Sequence, residues 1–203
     1  MLRFDTLIIG SGLAGLTLAL KLAEHQTVGL ITKKSLMDGA SNWAQGGIAA
    51  VLSPDDTLGA HIQDTLTAGA GLCDEAVTRY VVEHGKESID WLIAQGVPFT
   101  KDSDNVGYHL TREGGHSRRR IIHAADATGH AVQETLATRV LNHPNITVLE
   151  HYMSVDLITS KKLGLSGNCC YGIYALNTVK DKVVTLAAHY TILATGGTGK
   201  VYL

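Results

Sequence analysis

Aromatic side chains make up only 5% of the 203 residues, and there are only 3 cysteines. Few aromatics argue against a base-stacking nucleic-acid module. Cys73, Cys169 and Cys170 cannot build a complete disulfide framework, and the adjacent pair has a spacing that disulfide geometry rarely accepts. Neither sign of charge dominates. Against 19 acidic residues stand 17 basic ones, a net charge of −2, which is no footprint for DNA or an anionic membrane. No apolar run reaches about eighteen residues, so no membrane span is expected. The N-terminal apolar stretch, Leu13 to Ala23, contains Lys21 and lacks the basic lead and cleavage site of a signal peptide. Internal repeats, low-complexity tracts and linkers are also missing. These absences point to a reducing, cytoplasmic compartment and to no nucleic-acid or membrane partner.

What the chain has in excess is glycine. Its 22 glycines are about half again the usual share, and they follow no three-residue period that would suggest collagen. An apolar fraction of 45% is ample for a buried core and excludes disorder. The length allows one domain, or at most two small ones, and residues 1–203 are read as a single one.

Asp5 to Ile9 read as a buried strand, Leu13 to Glu24 as a helix with Leu16, Leu20 and Ala23 on one face, and Thr27 to Thr32 as a second strand. That β-α-β unit implies parallel strands and a right-handed crossover. Lys33 to Gly47 is expected to be a loop, and Ile48 to Leu52 a short strand. Thr57 to Ala70 and Asp74 to Gln95 read as helical, the second broken at Gly85. Phe99 to Arg120 is irregular and charged. Thr128 to Leu141 is a helix with Ala131, Leu136 and Val140 as core positions, and Ile146 to Glu150 is another buried strand. Val155 to Thr159, Tyr171 to Thr178 and Val183 to Ala187 then suggest an antiparallel meander, with His189 to Leu193 a last buried strand.

Gly10-Ser11-Gly12-Leu13-Ala14-Gly15 fits G-x-G-x-x-G, after a strand and opening a helix. Gly10 permits a tight turn, Gly12 lets backbone approach a pyrophosphate, and Gly15 lets helix and strand pack closely. The helix N-terminus adds free N–H groups and a positive dipole end. The acid expected at the end of the second strand is missing. Thr32 stands there, followed by Lys33 and Lys34. A solvated loop edge and a 2′-phosphate site both fit those lysines.

A second small-residue stretch runs Ala40-Ser41-Asn42-Trp43-Ala44-Gln45-Gly46-Gly47-Ile48-Ala49-Ala50. With Thr111-Arg112-Glu113-Gly114-Gly115-His116-Ser117 and His123-Ala124-Ala125-Asp126-Ala127-Thr128-Gly129-His130, it carries a resemblance. The sequence closely resembles the succinate dehydrogenase and fumarate reductase flavoprotein family over essentially its whole length, and within it the members that oxidise L-aspartate. The resemblance implies FAD in a doubly wound α/β domain with a parallel central sheet and an antiparallel meander insertion. The capping domain and the catalytic residues are expected outside the chain. Gly10, Ser11, Gly12, Leu13, Ala14 and Gly15 would hold the pyrophosphate. Thr32 and Lys33 would lie at the adenosine ribose, and Ala40 through Gly47 would wrap pyrophosphate and flavin. Ser154 would meet the adenine side through backbone, with Ala194, Thr195 and Gly196 flanking the adenosine. A hydroxyl residue at Thr32 is expected in this branch, which weakens an NADP reading of the lysines.

Departures from the respiratory members sharpen the expectation. Those members attach FAD to a histidine where this chain has Ala40, which carries no nucleophile, so the FAD is expected to be non-covalent. They carry an apolar residue before Gly114-Gly115, where this chain has Glu113. That carboxylate could pair with the α-ammonium of an amino-dicarboxylic acid, with His116 beside flavin or substrate. The implied reaction takes L-aspartate to iminoaspartate with O2 or fumarate as acceptor, at the head of de novo NAD synthesis and upstream of quinolinate synthase. The rivals are a succinate or fumarate flavoprotein and a non-catalytic FAD-binding module.

Other signals carry less. His109, His116, His123 and His130 recur every seven residues, but Gly114-Gly115 interrupts any shared helix, so no metal is expected. Arg118, Arg119 and Arg120 suit either an ion-paired face or a field that draws in a dicarboxylate. Ala194 to Lys200 nearly reads as a P-loop, but Ala194 replaces its first glycine and Val201 its Ser/Thr, which excludes triphosphate hydrolysis. Leu203 comes so soon after Gly196-Gly197 that the ending resembles a cut, and a chain so cut is expected to show no turnover by itself.

Overall fold

The computed structural model describes residues 2–104, 106–125 and 127–197. In chain order the elements are β1 (Leu2–Ile9), α1 (Leu13–Ala23), β2 (Val28–Thr32), a 3-10 turn (Ala40–Trp43), β3 (Ile48–Ala49), α2 (Leu58–Ala68), α3 (Glu75–Glu83), α4 (Gly85–Gln95), β4 (Leu110–Thr111), β5 (Ile121–Ile122), α5 (Thr128–Leu141), β6 (Ile146–Glu150), β7 (Tyr152–Thr159), β8 (Cys170–Asn177) and β9 (Lys182–Leu193). They group into two compact units, Met1–Asn42 with Gln133–Leu203, and Trp43–Val132.

The first unit is built on a six-stranded sheet in the order β6-β2-β1-β9-β8-β7. The pairs β6-β2, β2-β1 and β1-β9 are parallel, while β9-β8 and β8-β7 are antiparallel. The five residues of β2 are all buried, as a strand covered on both faces requires. α1 turns Leu16, Ala19, Leu20 and Ala23 inward and packs on β1, β2 and β6. Leu7, Ile9, Ile31, Ile173, Ala175 and Leu186 close a core shared by the parallel and antiparallel strands.

β9 differs from expectation. The sequence suggests two strands, Val183–Ala187 and His189–Leu193, but they form one twelve-residue strand. Lys182 to Ala187 pair antiparallel with β8, and Leu186 to Leu193 pair parallel with β1. No glycine or proline breaks the stretch, so the backbone continues and only the partner changes.

The second unit is mostly helical. Thr57 caps α2 by accepting from the Ala60 N–H, and Asp74 caps α3 by accepting from that of Val77. α4 ends at Gly96 in the left-handed region. A small sheet, β3-β5-β4, is antiparallel throughout. Its strands are only two residues long, which leaves no alternation to read inside the charged segment before Arg120. The strand expected over Ile48 to Leu52 shrinks likewise to Ile48–Ala49. α5 is divided between the units: in the second, Ala131 is half-buried and Val132 buried, and in the first, Gln133 is buried, as are Leu136 and Val140, the latter two as expected. Among the described residues no helix is long and apolar enough to cross a membrane.

Candidate cofactor and substrate site

In the first unit, β1 ends in a turn that its own packing dictates. Gly10 has φ +117°, its N–H donates to the Ile31 carbonyl at 2.9 Å, and a Cβ on it would meet the Ala194 oxygen at 2.2 Å. A Cβ on Gly15 would meet the Gly10 oxygen at 2.0 Å. Neither glycine can be replaced without moving backbone. Gly12 is different, because a Cβ there would touch only the Ser41 hydroxyl, at 3.5 Å. Protein packing therefore requires Gly10 and Gly15, whereas the gap at Gly12 faces open space. That is what an entering pyrophosphate needs: bare backbone at a helix start that Gly12 caps with no side chain. The residues present fit FAD in this respect.

Neighbouring segments converge on the turn. Ser41 Oγ accepts from the Leu13 N–H at 3.3 Å, which brings part of the second glycine stretch to α1. Ala194 N–H donates to the Ile9 carbonyl at 2.9 Å, so the end of β9 lies against the end of β1. Thr195 and Gly196 follow it, both exposed. The near-P-loop ending, from residue 198 onward, lies outside the described residues. Thr32 is buried at the end of β2, Lys33 is exposed, and Lys34 pairs with Asp38 at 3.0 Å. His151 N–H donates to the Lys34 carbonyl at 3.2 Å, which sets the start of β7 beside the end of β2. Ser154 lies in β7 opposite Ala175, at an irregularity in the register. Ser11 is buried, while Leu13 is half-buried and Ala14 exposed on α1.

Sequence reading overlooked Gln133. It is fully buried, and its Nε2 donates to the Ser11 carbonyl at 2.7 Å and to the Leu36 carbonyl at 3.1 Å. Glu150 Oε1 accepts from the Leu36 N–H at 2.6 Å. A lone glutamine on an apolar helix face was the available signal.

In the second unit, the second glycine stretch meets the His123–His130 motif. Gly129 N–H donates to the Ala44 carbonyl at 2.9 Å, and Ala50 N–H to the Arg120 carbonyl at 2.9 Å. A Cβ on Gly47 would strike the Ile122 oxygen at 2.4 Å. Trp43, Ala44, Gln45 and Gly46 are exposed, Trp43 at 76%. Ala40 opens the 3-10 turn, and Asn42 N–H donates to the Gly39 carbonyl at 3.1 Å.

Arg120 organises the loop that holds Glu113 and His116. The basic run divides: Arg118 and Arg119 are exposed, while Arg120 is 0% exposed. Its Nε and Nη2 grip Asp56 at 2.7 and 2.8 Å, a two-pronged fork, and Nη1 donates to Asp64 Oδ2 at 2.7 Å. Ser117 donates to the same Asp64 oxygen through N–H and hydroxyl, both at 2.7 Å. These donors, the Ser117 pair foremost and Arg120 after them, hold Asp64 well below the usual carboxylate range, at about 2. The loop is thus fastened behind Glu113, which is exposed, and His116, which is half-buried. The His116 and His61 ring centroids lie 5.7 Å apart. His61 is buried with no partner for Nδ1 among the described residues, and burial, then the Arg120 charge, pushes its pKa down.

The seven-residue histidine spacing has a structural outcome. Antiparallel pairing of β4 with β5 brings His109 Nδ1 within 2.9 Å of His123 Nε2. His123 Nδ1 lies 3.2 Å from the Ala125 carbonyl, which can only accept. The hydrogen-bond network therefore assigns that proton to His123 Nδ1 and makes His109 Nδ1 the donor to His123 Nε2. Among the described residues no group of histidines, cysteines and acids is placed to hold a metal.

The family described as FAD binding domain matches residues 5–202. The L-aspartate oxidase 1 of Ralstonia nicotianae is 60% identical over 203 residues, which cover 100% of this chain and 38% of that protein. The L-aspartate oxidase of Pseudomonas aeruginosa is 53% identical, over 99% of the chain and 38% of its own length. A quinol fumarate reductase variant of E. coli, 30% identical, superposes with a TM-score of 0.90 over 100% of this chain and 34% of its own. The chain therefore spans well under half the length of these relatives. A glycine turn with open space at Gly12 and a family match running nearly end to end make this chain a member of the FAD-binding-domain family, with the succinate dehydrogenase and fumarate reductase flavoproteins.

Proposed function

We propose that the protein is an FAD-dependent oxidoreductase that converts L-aspartate to iminoaspartate, with O2 or fumarate as electron acceptor. The observation that carries this reading is the exposed Glu113 carboxylate on a loop fastened by Ser117, Asp64 and Arg120. When bound, FAD supplies a two-electron acceptor, and the protein supplies orientation and electrostatics. Gly12 and the first turn of α1 would face the pyrophosphate, with Thr32 and Lys33 toward the ribose. Ala40 to Gly47 would lie along pyrophosphate and flavin, and Ser154, Ala194, Thr195 and Gly196 around the adenosine. Ala40 offers no nucleophile, so acid precipitation of the holoprotein is expected to leave all flavin in the supernatant.

Glu113 would select the substrate. Once a substrate closes off solvent, a carboxylate without a cation beside it is costly. The α-ammonium of aspartate supplies that cation, and succinate has none. His116 would stand beside the same ligand. We expect Glu113→Gln in the full-length enzyme to lower aspartate oxidation by about tenfold or more, the worth of one charge-assisted contact, and fumarate reduction far less. Equal loss of both activities would overturn the assignment. The high identity to named aspartate oxidases favours this reading over a succinate or fumarate flavoprotein. On it, the product would pass to quinolinate synthase on the route to NAD, in the cytoplasm.

A further inference from the structure

We infer that Gln133 is a positioning residue for the cofactor, a clamp that fixes the glycine turn against the loop after β2. The inference rests on FAD being held at Gly10 to Gly15. Gln133 spans two segments far apart in sequence. Ser11 lies inside the glycine turn, and Leu36 follows the Thr32-Lys33 pair expected at the ribose. One buried Nε2 uses both of its hydrogens on the carbonyls of those residues, at 2.7 and 3.1 Å. The orientation of the amide is settled by its partners, since two carbonyl oxygens would repel Oε1. Leu36 is held at its other end too, because its N–H donates to Glu150 at 2.6 Å. The loop after β2 therefore has little freedom to shift relative to Gly12.

Two further facts argue that the clamp serves a ligand. Gln133 Oε1 is buried with no hydrogen-bond partner among the described residues. A methionine of similar size would avoid that unpaired oxygen but would give up the donor to both carbonyls, so what glutamine adds here is the tie between the two segments. Second, the side chain is neutral. A glutamate in its place would turn an anion toward two carbonyl oxygens beside the turn that receives a pyrophosphate. Among residues of this length, glutamine ties both carbonyls down and adds no charge.

The test measures FAD and ADP affinity of the purified full-length apoprotein by fluorescence and calorimetry, well below its melting midpoint. Gln133→Met and Gln133→Glu are compared with the unaltered protein, and apoprotein melting is recorded alongside. Each variant is expected to bind both ligands about tenfold more weakly, the factor that losing one or two hydrogen bonds gives. Gln133→Glu is expected to be the weaker of the two. A merely structural glutamine would lower melting and leave affinity per folded molecule unchanged, and that result overturns the inference. If neither variant folds, hydrogen exchange of the unaltered protein decides. FAD should protect the amides around Gly12 and Leu36 together, and protection of the glycine turn alone counts against the clamp. An unaltered protein that binds no FAD overturns this inference and the functional reading beneath it. One that binds FAD while both variants match it overturns the inference only.

Discussion

Around the glycine turn of the first unit, the fully buried polar side-chain contacts are made by an uncharged amide, and the carboxylate that joins them, Glu150, is exposed and holds the Leu36 N–H. Around Arg120 in the second unit such contacts are made by formal charges. Gln133, Ser11 and Leu36 carry no charge, whereas Arg120 is fully buried against Asp56, with Asp64 on its other prong. The contrast follows from what each unit would grip. A pyrophosphate brings its own negative charge and is best met by backbone N–H groups. On the proposed reading, a loop that would hold one carboxylate ready for a substrate needs strong, directional restraint, and a forked arginine supplies it. The two solutions fail differently. Neutral clamps lose a little when cut, while a buried ion pair cut on one side leaves a bare charge behind.

The largest effect should therefore come from the charged unit. Arg120→Met strands the buried Asp56 carboxylate and is expected to cost about 3–5 kcal/mol, read as a fall in the thermal or denaturant midpoint. Next comes Gly15→Ala, whose methyl would sit 2.0 Å from the Gly10 oxygen. Overpacking against backbone is expected to cost about 1–3 kcal/mol and to abolish tight FAD binding in a flavin fluorescence titration. If Gly15→Ala proves more destabilising than Arg120→Met, the contrast between the units is drawn the wrong way round. The smallest effect is a dependence on pH. Asp64 is held at about 2, against an ordinary 3.8, so its contribution is fully present above that ordinary value and fades as pH falls toward the lower one. The stability gap between the unaltered protein and Asp64→Asn should narrow over that window in acid titrations. A gap that stays constant would remove Asp64 from the network.

Much of the neutral unit is legible in sequence because its constraints are local. A strand, a glycine turn and a helix follow within 23 residues, and the close contact of Gly15 with Gly10 is local, although Gly10 also abuts Ala194 from the far end of the chain. α5 is legible as a long helical run, whereas β6 is a strand where expected but is part-exposed rather than buried, since five residues say little about which face is covered. The charged unit is far less legible. Arg120 and Asp56 stand 64 residues apart, and nothing in Arg118-Arg119-Arg120 distinguishes the one that is buried. His109 and His123 meet only because two-residue strands pair, and strands that short leave no pattern. Gln133 was hidden by its helix, where a polar residue on the inner face reads as an imperfect stripe rather than as a tie between distant loops. β9 was divided in two because sequence shows a change of partner as a change of element.

That strand also orders events in time. Its far half gives β1 its second neighbour, and the pairing of Leu2 with Leu186 joins residues 184 positions apart. The hairpin of β8 and β9, by contrast, needs only the short turn after Asn177. As the chain is synthesised, β1 emerges before the other strands of its sheet, yet one of its edges stays open until β9 has been made. An open strand edge is a template for wrong pairing, so β1, not the late hairpin, is the part of the nascent chain in most need of shelter.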